Sequence, residues 1–414
     1  MVQFRILVVA AVVMAAPVHA RPVPQDPPAL MHGITETQVS DERFRRWMGS
    51  FRRRALAQGI SPETFDTAMG EITFNEQIME LDRNQAEFSK ALWEYLDTAV
   101  SEARIRNGRQ ALDRNAAALD QIEQVYQVDK EIIVAIWGLE SAYGAVRGNT
   151  NTIEAMATLG YRARRHEFFK EQLMAALQIL EAGDTTIQNM RGSWAGAMGH
   201  TQFMPTSFLE LSVDGNGDGR RDIWSDDPVD ALASTGNYLR HHGWTYEQPW
   251  GVEVQIPEGF DYTTARRQLR ILPSVWAARG VLDLDGNPVP DYAEASILLP
   301  GGHEGAAFMI FPNFEVLEEY NTADSYVIGV GHLADRIGGG GGIQTPWPRE
   351  DGALSGADRR ELQEHLTEAG FDPQGIDGRI GPLTINAIRL YQLANGLVPD
   401  GYASPQLLDR LRGG

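Results

Sequence analysis

The stretch EIIVAIWGLESAYG, residues 131–144, decides how this chain is interpreted. Apolar residues cover nearly every side of the helix that it predicts, and one carboxylate, Glu140, lies near the end of that helix. An ionised carboxylate that leaves water without a partner loses several kcal/mol. The position of Glu140 therefore needs a physical reason.

Two explanations for Glu140 are open from the residues alone. In the first, which is structural, Arg147, Arg164 or Arg165 pairs with the buried carboxylate. In the second, burial beside apolar neighbours raises the pKa of the carboxyl group, so that it acts as a general acid near neutral pH. Such an acid can donate a proton to a glycosidic oxygen, and the carboxylate that remains can take a proton back.

Composition limits the class of partner. The chain has 414 residues, which suffices for two or three domains with a large core. Its net charge of −20 argues against nucleic acid and anionic membrane surfaces, since both require basic patches. The absence of cysteine excludes disulfides, a thiol nucleophile and a lipid-modified N-terminal cysteine.

The N-terminal residues predict export. Arg5 precedes the apolar run ILVVAAVVMAA, and PVHA follows before Arg21, a pattern typical of a signal peptide over residues 1–20. Eleven apolar residues are too few to span a bilayer, and no later run is longer. We expect an exported, periplasmic and soluble protein that has no transmembrane segment and is not a lipoprotein.

Helical periodicity dominates the N-terminal two thirds of the chain. A Pro-rich segment, residues 21–36, is interpreted as a disordered leader, and the main domain as residues 37–337. Four helices are predicted here. The first begins at a capping Asp41 and ends at Gly59, and the second begins after an N-cap at Ser61. The third covers residues 88–108, and the fourth, which contains Glu140, begins after a capping Asp129.

The character of the sequence changes twice further on. Residues 252–256 (VEVQI) predict one strand. Residues 295–311 (ASILLPGGHEGAAFMIF) predict two more strands, joined as a hairpin by the turn PGGHEG. Residues 338–355, with five successive glycines and then prolines, are interpreted as a linker. The remaining residues, 356–414, contain an internal repeat, because Asp-Gly turns at Asp377 and Asp400 each follow a helix with Leu and Gln.

Two signatures identify a family. WGLESAYG resembles the catalytic signature of lytic transglycosylases, and GSWAGAMGHTQFMPTSF (192–208) is similar to their second signature. The segments DGNGDGRRDIW, DALASTGNYL and EEYNTADSYVIGVGHLADRI follow in the family's order. The resemblance covers residues 40–337 and is specific to the lytic murein transglycosylase B family, in a soluble form of the membrane-bound type.

The resemblance implies a fold and a reaction. The expected fold is mainly α: an α+β, lysozyme-like catalytic domain with a small β-hairpin region. The expected reaction cleaves the MurNAc-β-1,4-GlcNAc bond of peptidoglycan without water and leaves 1,6-anhydroMurNAc ends. Glu140 would act first as general acid and then as base, without a cofactor. The alternatives are a hydrolytic muramidase at the same site and a non-catalytic wall-binding protein.

The resemblance also implies substrate-binding residues. They are polar or aromatic side chains in the matched segments: Ser193, Gln202, Tyr238, Tyr320, Asn321 and Tyr326. The alternative for Gln202 is an internal hydrogen bond in a tight loop, and the alternative for each tyrosine is a place in the core. The chain departs from the family at Ala323, where a serine is common.

The acidic loop DGNGDGRRD predicts a metal site. Asp214, Asn216 and Asp218 occupy positions 1, 3 and 5 of an EF-hand-like loop, and Arg220 offers its backbone carbonyl at position 7. Position 12, normally Glu, is Ser225. The resemblance implies that Asp230 completes a structural Ca²⁺ site, with Asp226 and Asp227 as alternatives for the closing ligand. The alternatives to calcium are a sodium ion and an empty, solvated turn.

The C-terminal residues resemble a second family. LQEHLTEAGF, DGRIGPLTINAIRLYQ and GLVPDGYASPQLL are similar to the three-helix peptidoglycan-binding domain found at the ends of many wall enzymes. The partner implied is the peptidoglycan glycan strand, and tethering would raise the concentration of the catalytic domain at the wall. Partners among other cell-wall enzymes are not indicated.

Overall fold

The computed structural model describes residues 36–84 and 90–413. The signal peptide predicted for residues 1–20, and the predicted leader as far as residue 35, lie outside the described residues. The helices are α1 (Glu36–Ala57), α2 (Pro62–Met69), α3 (Glu76–Asn84), α4 (Leu92–Ala99), α5 (Glu102–Arg114), α6 (Ala116–Tyr126), α7 (Lys130–Ser141), α8 (Thr152–Arg162), α9 (His166–Ala182), α10 (Pro205–Leu211), α11 (Val229–His241), α12 (Pro273–Ala278), α13 (Pro312–Tyr320), α14 (Asp324–Ile337), α15 (Gly356–Glu368), α16 (Pro382–Ala394) and α17 (Pro405–Leu411). The strands are β1 (Thr150–Asn151), β2 (Arg191–Gly192), β3 (Gly251–Gln255), β4 (Leu282–Asp283), β5 (Ser296–Leu298) and β6 (Ala307–Ile310).

Helix α7, which carries Glu140, lies at the centre of the helical body. Every residue from Ile132 to Gly138 is buried, because α5, α6, α11 and α14 all pack around it. An all-round apolar helix of this kind belongs in the core of a large domain. The mainly α, lysozyme-like fold predicted from the sequence is confirmed. Within the described residues, no helix has both the length and the apolar character needed to cross a membrane.

The predicted helices differ from the structure in three places. Helix α1 begins at Glu36 rather than at Asp41. The helix expected over 88–108 is two helices, because α4 ends at Ala99 and α5 begins after an N-cap at Ser101. Gly108 lies inside α5 rather than at its end. A Cβ on it would lie 2.7 Å from the Tyr143 hydroxyl, so this glycine permits close packing and does not end the helix.

The position predicted for Asp129 is right, but the capping hydrogen bond expected from its side chain is absent. Asp129 is the N-cap residue of α7, but its side chain makes no capping hydrogen bond. Its Oδ2 instead accepts a hydrogen bond from Trp244 Nε1 at 2.7 Å, and its Oδ1 accepts one from the Glu247 backbone N–H at 3.3 Å. The carboxylate therefore ties the start of α7 to the segment that follows α11. By contrast, Ser61 caps α2 as predicted, accepting from the Thr64 N–H.

A four-stranded antiparallel sheet, in the order β4-β3-β6-β5, covers one side of the helical body. The predicted hairpin is present, with Ser296 opposite Ile310 and Leu298 opposite Phe308. The sheet has a core of its own around the fully buried Trp276. This sheet region, residues 251–311, leads directly into α13, and Phe308 and Ile310 of β6 pack in the core of the helical body.

The linker lies against the sheet region. The backbone N–H groups of Gln344 and Thr345 donate to the two carboxylate oxygens of Glu253, at 2.9 and 2.8 Å. Trp347 stacks on Phe308 with ring centroids 6.5 Å apart. These contacts fix where the C-terminal three-helix module begins.

The internal repeat in the C-terminal module has a physical basis. Gln363 donates to the Asp377 carboxylate at 3.2 Å and accepts from the Gly378 N–H at 2.8 Å. Its counterpart Gln392 donates to Asp400 at 2.7 Å and accepts from the Gly401 N–H at 2.9 Å. Each buried glutamine thus holds one Asp-Gly turn against its helix.

The second of these turns docks the module onto the sheet region. Asp400 Oδ2 accepts the His303 backbone N–H at 3.0 Å and lies 2.7 Å from His303 Nδ1. Arg389 donates to the backbone carbonyl of Ala265. The module is therefore packed on the sheet region through polar contacts as well as through the linker.

Candidate active site

Glu140 is buried and has one hydrogen-bond partner among the described residues. Its side chain is 6% exposed, and Tyr326 Oη donates to Glu140 Oε1 at 2.6 Å. Burial raises the pKa of Glu140 to about 8, although the hydrogen bond from Tyr326 acts in the opposite direction. The carboxyl group therefore holds its proton near neutral pH, as a general acid must.

The ion-pair explanation for Glu140 finds no support among the described residues. Arg147 donates to the Trp224 and Ser225 carbonyls at 2.8 and 2.6 Å. Its other terminal nitrogen pairs with Asp226 at 2.9 Å. The other two candidate arginines, Arg164 and Arg165, lie near a different carboxylate, Asp82. Burial raises the pKa of Asp82, and the charges of the two arginines lower it. The one partner that shifts the pKa of Glu140 is the neutral hydroxyl of Tyr326.

The residues after Glu140 end α7 in a sharp left-handed turn. Ala142, Tyr143 and Gly144 have φ of 50°, 59° and 84°, a conformation that costs energy for residues with a Cβ. Ser141 offsets part of this cost, because its Oγ donates to the His200 carbonyl at 2.5 Å and accepts the Gly144 N–H at 3.0 Å. These residues hold the end of the helix, so that Glu140 occupies its last turn.

His200 connects α7 to the acidic loop, and the sequence analysis did not single it out. Trp137 Nε1 donates to His200 Nδ1 at 3.1 Å, and the Ser225 carbonyl lies 2.8 Å from His200 Nε2. An indole N–H only donates and a carbonyl only accepts, so the proton sits on Nε2. Burial lowers the pKa of His200, which keeps the ring neutral. Its place inside the second signature, residues 192–208, was the available signal.

The second signature meets the end of α7, where Ser141 Oγ donates to the His200 carbonyl. Ser193 Oγ accepts the Ala197 N–H at 3.1 Å. Gly196 has a φ of 84°, and a Cβ there would lie 2.1 Å from Met156 Cε, so only glycine fits. Gln202 Nε2 donates to the Arg147 and Gly199 carbonyls at 3.1 and 2.8 Å. The amide nitrogen of Gln202 thus makes the internal hydrogen bonds of the structural alternative, while its Oε1 accepts none from the described residues.

Three predicted residues lie where α13 meets α14: Tyr320 ends α13, Asn321 is its C-cap, and Tyr326 lies in the first turn of α14, against Glu140. Tyr326 contacts the carboxyl group directly. Tyr320 Oη donates to the Thr201 carbonyl at 2.6 Å. Asn321 is 2% exposed, and its Oδ1 accepts the Ala323 N–H at 3.1 Å. Ala323, where the family has serine, thus supplies a backbone contact to the site.

Tyr238 lies one layer further away. Its Oη donates to the Glu319 carbonyl at 2.6 Å, and its ring packs edge-on against Tyr320 at 4.9 Å. Tyr238 therefore supports Tyr320, whose ring is partly buried.

The phenols around Glu140 stay neutral. Burial and the charge of Glu140 raise the pKa of Tyr320 and of Tyr326 well above 10. The same two causes raise the pKa of Tyr95 on α4, a residue that the sequence analysis missed. Its ring lies against Gly329 of α14, since a Cβ there would be 2.9 Å from Tyr95 Cε1. The acid is thus surrounded by hydroxyl groups that remain uncharged.

The acidic loop brings three carboxylates together. Oxygen atoms of Asp214, Asp218 and Asp230 lie within 4.8 Å of one another. Asp230 is 1% exposed, and it accepts backbone N–H groups from Gly215 at 2.9 Å and Asp222 at 2.7 Å. Three hard oxygen ligands at this spacing suit a calcium ion.

The other predicted members of the loop have separate contacts. Asn216 Oδ1 accepts the Asp218 N–H at 3.0 Å, and the Arg220 N–H donates to Asp218 at 2.9 Å. Asp226, with a side chain 99% exposed, pairs with Arg147. Asp227 accepts the Val229 N–H at the start of α11. Of the candidates for the closing ligand, Asp230 is the one in the carboxylate group.

A profile of the family described as "Transglycosylase SLT domain" matches residues 43–335, and one described as "Putative peptidoglycan binding domain" matches residues 355–411. The chain belongs to the transglycosylase SLT family. The lytic transglycosylase recognition made from the two signatures is confirmed. So is the resemblance of the C-terminal module to a peptidoglycan-binding domain.

Several relatives of this SLT protein have names or structures. Membrane-bound lytic murein transglycosylase B of Escherichia coli (strain K12) is 33% identical over 250 residues, which cover 59% of this chain and 66% of that protein. The crystal structure of SltB3 from Pseudomonas aeruginosa, in complex with NAG-anhNAM-pentapeptide, is 47% identical with a TM-score of 0.87, covering 89% of this chain and 99% of that one. The Escherichia coli lytic transglycosylase Slt35, in complex with calcium, is 28% identical with a TM-score of 0.60, covering 72% and 93%.

Replacing Glu140 with glutamine is expected to stabilise the protein at neutral pH. The pKa of Glu140 rises from 4.5 to about 8 on folding, so ionisation favours the unfolded state once the pH exceeds 4.5, and the loss of stability continues up to about pH 8. Glu140→Gln removes that loss, which is about 3 kcal/mol at pH 7 and much smaller near pH 5. Urea unfolding at both pH values measures it.

The exposed Glu210 provides the matched control. Glu210→Gln is expected to leave the free energy of unfolding within about 0.5 kcal/mol at both pH values. A Glu140→Gln protein whose stability relative to wild type is the same at pH 5 and pH 7 would show that Glu140 is not a buried, protonated acid.

Proposed function

We propose that this SLT protein is a peptidoglycan lytic transglycosylase that cleaves the MurNAc-β-1,4-GlcNAc bond and leaves 1,6-anhydroMurNAc ends. One observation carries the proposal: Glu140 is buried and protonated near neutral pH, and burial is the cause of its raised pKa. Family membership gives the substrate class. The SltB3 relative has been crystallised with NAG-NAM-pentapeptide and with NAG-anhNAM-pentapeptide.

In the first step, Glu140 gives its proton to the glycosidic oxygen as the bond from C1 to that oxygen breaks. Glycosidases that use water normally need a second carboxylate, as nucleophile or base. A site with one acid requires the substrate to supply what the second carboxylate would. The N-acetyl group of the muramoyl residue can stabilise the positive charge that develops at C1.

In the second step, the Glu140 carboxylate accepts the proton of the muramoyl 6-hydroxyl as that oxygen attacks C1. The new C1–O6 bond closes the anhydro ring, and Glu140 regains the proton that it gave. The hydrogen bond from Tyr326 stabilises the carboxylate in the interval between the two steps. No net proton is consumed and no cofactor takes part.

We assign substrate contacts to three polar groups beside Glu140. They are the Ser193 hydroxyl, the Gln202 Oε1 and the Asn321 amide nitrogen, each of which keeps hydrogen-bonding capacity after its contacts with the described residues. Tyr320 and Tyr326 would shape the cleft and Tyr238 would support it. A hydrolytic muramidase would use the same acid, and its products distinguish the two reactions.

We further propose that the acidic loop holds a structural Ca²⁺. Asp214, Asp218 and Asp230 would supply carboxylate oxygens, and Asn216 and the Arg220 carbonyl would complete the set expected from the sequence. A bound ion would offset the repulsion among the three carboxylates. Calcium at this position would stabilise the fold and would take no part in the chemistry.

The location and the role of the tail are also proposals. The N-terminal pattern supports export to the periplasm, where peptidoglycan is the neighbouring polymer. The C-terminal module, which matches the peptidoglycan-binding family, would hold the enzyme on its substrate. Its contact with His303 would fix the orientation of the catalytic body relative to the wall.

Glu140→Gln is expected to fold and to lose at least about a thousandfold in activity, because an amide keeps the shape but neither donates nor accepts the proton. Purified peptidoglycan is digested with each protein, and the released muropeptides are weighed by mass spectrometry. Products of wild type that are one water lighter than hydrolytic products, and absent with the variant, are the expected result. Full-mass reducing ends would indicate a muramidase instead. Wall binding without any release would indicate a non-catalytic protein.

The pH dependence of the wild type follows from the pKa of Glu140. The acid must be protonated when the substrate binds, so activity is expected to fall as the pH rises through about 8. The hydrogen bond from Tyr326 lowers the pKa of Glu140, so Tyr326→Phe is expected to move this basic limb to higher pH. Rates of release at saturating peptidoglycan between pH 5 and 10 test both points. A basic limb that is the same in both proteins would contradict the assignment.

Calcium is expected to raise the melting temperature of wild type, because an ion that binds only the folded state stabilises it. At a hundred times its dissociation constant the gain is about 2.7 kcal/mol. Asp230→Asn should abolish most of the shift, whereas Asp226→Asn should retain it, since Asp226 lies outside the carboxylate group. Thermal unfolding with calcium and with a chelator measures the shift. If calcium raises the melting temperature of Asp230→Asn as much as that of wild type, Asp230 is not a ligand of the ion.

A further inference from the structure

Two arginines of the sheet region reach helix α13, and they do so differently. Arg267 Nη1 donates to Glu318 at 2.5 Å, and its Nη2 donates to Asp324 at 2.5 Å. Arg270 pairs with Glu315 alone. Glu315 and Glu318 both belong to α13, whereas Asp324 is the first residue of α14. Arg267 is thus the residue of this pair that joins the two helices.

The environment of Arg267 makes its contacts stronger than those of an ordinary surface pair. Its side chain is less exposed than that of Arg270, 29% against 45%. Its guanidinium also lies over the Phe314 ring, with Cζ 4.9 Å from the ring centroid. Burial lowers the pKa of Arg267, but the charges of Asp324 and Glu318 give it a net upward shift. A planar guanidinium with five fixed donors can hold two carboxylates at a set separation.

The turn between the two carboxylates is the turn that faces the catalytic acid. Residues 318 and 324 enclose Tyr320 and Asn321, and Tyr326 follows two residues after Asp324. Tyr326 donates to Glu140, and Tyr320, whose pKa the charge of Glu140 raises, donates to the Thr201 carbonyl. The distance between Glu318 and Asp324 therefore sets where these side chains are presented.

We propose that Arg267 is a positioning residue of the reaction: by clamping Glu318 of α13 to Asp324 of α14, it holds Tyr326 on Glu140 and Asn321 at the substrate. It contacts neither the acid nor the sugar. The inference rests on the proposed function, since it assigns a role in that reaction. It explains why an arginine of the sheet region is partly buried between two helices of the catalytic body.

A positioning role and a stabilising role give different results. A residue that only stabilises the fold changes the unfolding temperature and the fraction of active enzyme, but not the pH profile of that fraction. Loss of the Tyr326 hydrogen bond raises the pKa of Glu140, so a looser turn moves the basic limb. The titratable groups that face Glu140 from the packed helices are Tyr95, Tyr320 and Tyr326, and all three stay neutral in this range.

The experiment compares full-length wild type, Arg267→Gln, Arg267→Lys and Arg270→Gln on purified peptidoglycan. Arg267→Gln is expected to lower kcat about tenfold, to leave KM within about twofold and to move the basic limb upward by about half a pH unit. Arg267→Lys should recover part of kcat, because one ammonium group satisfies only one carboxylate well. Arg270→Gln should leave kcat and the limb unchanged.

Asp324→Asn keeps Arg267 over Phe314 and weakens only its contact with α14, so it tests the proposal if Arg267→Gln fails to fold. It should move the basic limb in the same direction. If Asp324→Asn, or a folded Arg267→Gln, has the same kcat and the same basic limb as wild type, the proposed role of Arg267 is wrong. The proposed reaction would not be affected by that result. Wild type that releases no anhydro product would instead overturn the proposed function, and the role of Arg267 with it.

Discussion

The burial of Glu140 is the constraint on which the rest of this structure depends. A carboxyl group inside α7 keeps its proton only if no cation approaches it and if the groups that touch it are neutral. The described structure meets both conditions, because the neighbours of Glu140 are tyrosines whose own pKa values are raised and the nearby Arg147 is held by carbonyl groups and by Asp226. A single lysine or arginine turned toward this position would lower the pKa of Glu140 and remove the proton that the reaction needs.

Several signature residues hold α7 and its surroundings in place. Ser141 and the left-handed turn after it end α7 just beyond the acid, and His200 connects α7 to the acidic loop by hydrogen bonds on both ring nitrogens. The neutral tautomer of His200 matters, because a protonated ring beside Trp137 would bring a positive charge into the same core. Burial, which lowers the pKa of His200, prevents this. One short polypeptide motif thus positions the acid and excludes charge from its surroundings.

How much of this could be predicted from the sequence depends on the range of each interaction. Local signals worked: Ser61 as a cap, the hairpin over 295–311 and the repeat of Gln363 and Gln392 all follow from residues close in sequence. The prediction that Gly108 ends a helix failed because this glycine is needed for a tertiary contact, the close packing of the Tyr143 hydroxyl. The prediction that the Asp129 side chain caps α7 failed because its carboxylate accepts a hydrogen bond from Trp244, which is far along the chain. Glu140 was found because a charge in an apolar helix is visible locally, whereas Tyr95 and Arg267 act through partners that no local pattern reveals.

A site with one carboxylate places opposite demands on its surroundings. As an acid, Glu140 needs a high pKa, and burial supplies it. As the base of the proposed second step, the same group must exist for a moment as an anion, which burial disfavours. The hydrogen bond from Tyr326 resolves the conflict, because a hydroxyl group binds a carboxylate about twice as strongly as it binds a neutral acid. Since the acid lies on α7 and the hydroxyl on α14, the balance between the two steps is set by how these helices are held together. In the proposed mechanism, residues that fix the start of α14, such as Arg267, therefore act on the chemistry through the hydrogen bond from Tyr326.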